Sequence, residues 1–271
     1  MQEMIPNEQE EQVATKESQF FNAVNLVDDN TETHVLRTLC RIMPDNFEAL
    51  VVLSDCLRLQ KRYTEAIVVL DRAMDLAPLS PVGYRRRAIL ERMCLRFEAA
   101  QSDFAYSKEL DPEQPGILYD LGVSAYMLAH YDEAKTWLEE ALKLAEEPDQ
   151  RCAIRYWAVL ACSNLGDKET VSDLLKAFDE KEAVGEGQAY CKAMRLFAGC
   201  CDLDAMLRFV NTESEDHDYV TELYAVCIWL ESNMHWGEAA ELRQCLLSRD
   251  RDWDCPAYLA AAADADWGHL V

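Results

Sequence analysis

The stretch YTEAIVVLDRAMDLAP, residues 63–78, returns as FEAAQSDFAYSKELDP at 97–112 and as YDEAKTWLEEALKLAE at 131–146. A unit that recurs at a fixed interval restricts the chain to folds that are themselves periodic. Aligned on the alanine of the motif, the anchors are Ala66, Ala100, Ala134, Thr170, Ala205 and Ala239, at spacings of 34, 34, 36, 35 and 34. Twelve residues before each anchor stand Ser54, Ala88, Gly122, Ala158, Ala193 and Cys227, all small. Four residues after it stand Leu70, Phe104, Leu138, Leu174, Phe209 and Arg243, mostly large and apolar. Two helices approach closely only where side chains are small, and large neighbours then fill the gap beside the contact. Each period therefore predicts a helical hairpin that is too short to bury its apolar face alone and stacks on the next.

Composition agrees. Gly (9) and Pro (8) are scarce, while hydrophobic residues make up 50% and charged residues 28%, so the chain is predicted to fold and to be helical. The prolines fall where a second helix must stop: Pro44, Pro78, Pro112 and, slightly later, Pro148. Thr33–Met43 reads as one helix of a partial leading repeat with Ser18–Val27 as its partner, and Cys255–Ala265 as an alanine-rich cap.

The residues Leu50, Leu53, Ser54, Leu57, Ala66, Leu70, Ala73 and Pro78 form one unit of a known pattern. Tyr84, Ala88, Ala100, Phe104 and Pro112 repeat it, as do Leu118, Leu121, Gly122, Ala134, Leu138 and Ala141. On these residues the chain resembles the tetratricopeptide repeat family. The resemblance implies an all-α, right-handed superhelical solenoid of helix–turn–helix units: about six, plus a partial N-terminal unit and a C-terminal capping helix. The expected divisions are a mobile acidic segment at 1–17, the partial repeat at 18–46, three clear units at 47–148, three degenerate units at 149–252, and the cap and tail at 253–271. The degenerate units depart from the family at Lys192 and Arg243, which stand where it prefers apolar residues.

The formal charge is −24, from 50 acidic and 26 basic residues, and such a field repels phosphate backbones, so nucleic-acid binding is not expected. No apolar run reaches the length of a membrane helix, and the polar N-terminus does not read as a secretory signal. The 11 cysteines, none in a CxxC pair, read as buried thiols of a reducing, cytoplasmic setting. The five histidines are far apart, with no metal-ligand spacing, and no nucleotide-binding or nucleophile-elbow motif is present. The expectation is no enzyme, no metal and no cofactor.

In the family, the second, fifth, ninth, twelfth and thirteenth residues of a repeat face a bound peptide. Carried over to this chain, those positions give a groove of Arg58, Arg85, Ile89, Arg92, Met93, Tyr119, Val123, Tyr126, Met127 and Arg155. Arginine, tyrosine and methionine are the chemistry of binding hot spots. The second clear unit, 81–114, balances six basic against six acidic residues on an otherwise acidic chain, which reads either as a solvated arginine face balancing neighbouring carboxylates or as an anchor for a partner carboxylate. The lysine/asparagine/arginine clamp of co-chaperone relatives is absent, since Val51, Asp55, Arg86, Gly116 and Asp120 occupy its positions. Arg87 and Glu91, four apart, read as a structural pair. The expected function is an adaptor or chaperone-like scaffold holding a protein or peptide segment. The alternatives are a regulatory sensor of a small ligand or signalling peptide, and an assembly subunit that associates through the cap, with Tyr258, Ala260–Ala263 and Trp267 as its apolar surface.

Overall fold

The computed structural model describes residues 31–114, 116–176, 178–179, 185, 187–213, 216–249 and 254–267. The segments expected at 1–17 and at Ser18–Val27 lie outside them. Among the described residues there are helices and turns and no strand. They fall into two compact units that divide after Gln114, inside the block of three clear repeats.

The first unit holds α1 (Thr31–Ile42), α2 (Phe47–Leu59), α3 (Tyr63–Leu76), α4 (Pro81–Met93) and α5 (Phe97–Leu110). Each packs on its neighbour in sequence. Asn46 caps α2 by accepting from the Ala49 amide at 3.0 Å, and Ser80 caps α4 by accepting from Gly83 at 3.2 Å, with Pro81 opening that helix. The predicted columns form the core: Ser54, Ala66, Leu70, Ala88, Ala100 and Phe104 are all buried.

Arg87 is structural, as its position suggests, but its partners are not Glu91. Its guanidinium forks onto Asp103 at 2.6 and 2.8 Å and reaches Asp71 at 2.9 Å, while Glu91 pairs with Arg96 at 3.2 Å. The spacing of Arg87 and Glu91 allowed a pair within one helix; the two carboxylates on the flanking second helices offer a bidentate acceptor instead.

The second unit holds α6 (Ile117–Met127), α7 (Tyr131–Leu144), α8 (Pro148–Asn164), α9 (Lys168–Lys176), α10 (Gln188–Met194), α11 (Leu203–Glu213), α12 (Asp216–Ser232), α13 (Trp236–Leu247) and α14 (Pro256–Trp267). Gly122 lets α7 close on α6: a Cβ there would sit 2.5 Å from Leu138 Cγ. In the degenerate repeats the anomalous charges find partners. Lys192 Nζ lies 5.7 Å from the centre of the Phe209 ring. Arg243 pairs with Glu231 at 2.6 Å. Cys152 on α8 and Cys191 on α10 are joined in a disulfide, with Cα atoms 5.8 Å apart, so the cysteines are not all thiols. Their separation of 39 residues hid this pairing from sequence spacing.

Candidate partner-binding surfaces

In the first unit the expected groove residues lie on the first helices of the hairpins, α2 and α4. Along α4, Val82, Arg85, Ile89 and Met93 recur at three- and four-residue intervals and share one face, each of them half-buried or exposed. Arg86 reaches Asp55 on α2 at 3.2 Å, tying the two helices side by side. Arg58 lies one turn beyond Asp55, and Leu59 next to it is 72% exposed. Arg92 is placed differently from the others. It is only 6% exposed, with its guanidinium 5.6 Å from the centre of the Phe104 ring, so it packs between helices rather than facing outwards. The accessible surface is therefore Arg58, Leu59, Val82, Arg85, Ile89 and Met93, two cations set in an apolar stripe.

In the second unit the same repeat positions are covered. Val123 and Met127 are buried and Tyr126 is 1% exposed, while Tyr119 is half-buried and interacts with Tyr190. Around Tyr126 the unit gathers an aromatic cluster that the groove positions did not foretell. The rings of Tyr131 and Trp157 stand 5.3 and 5.2 Å from that of Tyr126, and Tyr156 packs against both Trp157 and Tyr190.

A chain of hydrogen bonds crosses this cluster. Asn164 Nδ2 donates to the Tyr126 hydroxyl at 3.0 Å, the Tyr126 and Tyr224 hydroxyls are 3.0 Å apart, and Tyr224 donates to Asp264 Oδ2 at 2.8 Å. Because the Tyr224 proton goes to Asp264, Tyr126 is the donor to Tyr224. Arg243 stands 3.5 Å from the same carboxylate oxygen. Burial pushes the Asp264 carboxyl up to about 6, against the opposing pull of Arg243 and the Tyr224 hydroxyl. Burial likewise raises the hydroxyl pKa of Tyr126 and Tyr224 well above the ordinary tyrosine value. The visible signal in the sequence was the pair of acids, Asp264 and Asp266, on the alanine-rich helix.

Arg155, the last expected groove residue, is buried and borders a cleft of about 420 Å³ among α7, α8 and α9. Leu142, Lys143 and Leu174 line it too, with Glu139 and Asp173. Leu174 occupies the column whose members Leu70, Phe104 and Leu138 are fully buried, yet α9 buries none of its side chains completely. The residues expected to form an associating cap are also used internally. Ala260, Ala261 and Ala263 are buried, and the Tyr258 hydroxyl donates to the Leu247 carbonyl at 3.0 Å. The side chain of Trp267 lies outside the description. Among the described residues, no group of three or more His, Cys, Asp or Glu is placed to hold a metal ion, and no helix is long and apolar enough to cross a membrane.

Stacked helical hairpins presenting first-helix faces define a helical-repeat protein. Residues 115–148 match the family Tetratricopeptide repeat. A tetratricopeptide repeat protein from Parabacteroides merdae ATCC 43184 shares the fold, with a TM-score of 0.57 at 15% identity over 92% of this chain and 99% of that one. The chain is also 31% identical over 96 residues to a UDP-N-acetylglucosamine–peptide N-acetylglucosaminyltransferase of Giardia intestinalis (strain ATCC 50803 / WB clone C6), a match that spans 34% of this chain and 6% of that protein. Residues 115–148 are thus a tetratricopeptide repeat and the chain shares the fold of a tetratricopeptide repeat protein; such repeats generally mediate protein–protein interaction.

Proposed function

We propose that the protein is a non-enzymatic, cytoplasmic adaptor or chaperone-like scaffold that holds a segment of a partner protein on the α2/α4 face of its first unit. The observation that carries this is the accessible stripe of Arg58, Leu59, Val82, Arg85, Ile89 and Met93 on consecutive first helices. Apolar side chains beside two guanidinium groups suit a partner segment with a carboxylate next to apolar residues. The surrounding negative charge disfavours partners that are acidic throughout. The Giardia transferase match rests on a short part of that protein, and no sugar transfer is carried over from it.

The test is affinity capture with the wild-type chain and with Arg58→Glu/Arg85→Glu. Both side chains are half-buried at the surface, so the double variant retains its helical circular dichroism. It loses specific partners, with affinity falling about 10–1000-fold. Partners retained in full by the double variant would remove the α2/α4 face from the account.

A further inference from the structure

The same repeat positions are open in one unit and closed in the other. Leu59, Met93 and Met127 are related by the 34-residue period; the first is 72% exposed, the second half-buried, the third 1% exposed. In the closed unit the rings of Tyr131, Trp157 and Tyr224 surround Tyr126, and α14 packs on α6, α12 and α13. Apart from Leu259, its buried side chains are alanines. Ala257, Ala260 and Ala261 stand at i, i+3 and i+4, and Asp264 follows at i+7 on the same face, reaching Tyr224 and Arg243. We propose that α6, α12 and α13 form a helix-binding site, that α14 occupies it in cis, and that a partner helix with the same alanine stripe and carboxylate competes for it.

Two features make α14 a displaceable occupant. Alanine methyls hide little apolar surface, and α14 buries one leucine, Leu259, where α2 buries Leu50, Leu53 and Leu57, so it is held by less burial than the leucine-rich helices of the core. Its Asp264 carboxyl is buried and shares its cation, since Arg243 also pairs with Glu231 at 2.6 Å. The site beneath is aromatic and hydrogen-bonding, with the Tyr224 hydroxyl and Arg243 as partners for a carboxylate and Tyr126 hydrogen-bonded behind Tyr224. The occupant itself specifies the ligand: a helix with small residues on one stripe and an acid one turn beyond. This site lies wholly in the second unit and stands whether or not the α2/α4 face binds a partner.

The experiment uses the full chain and a fluorescent peptide with the sequence of residues 254–267. Ala260→Arg puts a bulky charge into the buried stripe and releases α14. This variant is expected to bind the peptide about tenfold more tightly than wild type, and a peptide with Asp264→Ala to bind about tenfold more weakly. Equal binding of the peptide to both proteins, or no binding to either, overturns the proposal. Hydrogen exchange of the wild-type chain decides the matter if Ala260→Arg does not fold. α14 amides exchanging about tenfold or more faster than the buried amides of α12 support a displaceable helix, and exchange of both at a common rate overturns it.

Discussion

At the scale of single residues, the turns inside the hairpins show how the repeat is built. Lys61, Leu95, Ala129, Gly166, Gly199 and Met234 each close a turn between first and second helix, with φ between 57° and 70°. Only two of the six are glycine, so at the other four an L side chain accepts the left-handed region to keep the hairpin angle. Met234 is largely exposed. Met234→Gly is therefore expected to raise stability by about 0.5–1 kcal/mol, read as a higher denaturation midpoint at unchanged slope. Gly122 is the opposite case, with no room for a methyl group. Gly122→Ala should cost about 1–3 kcal/mol, and wild-type stability in that variant would mean that α6 and α7 are not in close contact. Tyr126→Phe removes both a donor to Tyr224 and an acceptor for Asn164, at an expected cost of about 1–3 kcal/mol.

Among the elements, α14 carries the pH dependence. Burial holds the docked Asp264 carboxyl at about 6 instead of the ordinary 3.8. The charged and titratable groups around it are Arg243 on α13, Glu231 and Tyr224 on α12, Tyr126 on α6 and Tyr131 on α7. A docked value above the undocked one means that docking takes up a proton between the two. The contribution is therefore least favourable above pH 6 and improves as the pH falls through that value towards 3.8. Asp264→Asn keeps an acceptor for Tyr224 and removes the titration. The stability of Asp264→Asn relative to wild type should thus be greatest at neutral pH and shrink by about 1–3 kcal/mol as the pH falls below 5. Denaturation curves of both proteins across that range give the difference directly, and a constant difference would contradict the buried carboxyl.

For the whole molecule, the periodicity was legible because each column has a local steric cause. A small residue at Ala88 or Gly122 faces a large one at Phe104 or Leu138, and that requirement recurs with the hairpin. Groove positions were legible as positions on a helix, but their exposure was not. Tyr126 and Arg92 occupy the same slot; one is buried among rings and hydrogen-bonded to Tyr224, and the other packs over Phe104. Which neighbour covers a slot depends on contacts between residues far apart in sequence, as with Tyr224 and Asp264 or Cys152 and Cys191. The accessible stripe on α2 and α4 remains the face on which the proposed function depends. The most direct measurement places a photo-crosslinking amino acid at Ile89, and separately at Ala105, an exposed site on the second helix α5. A partner captured by the wild-type chain should cross-link from position 89 and not from position 105. Cross-linking from 105 alone, or equally from both, would contradict binding on the first-helix face.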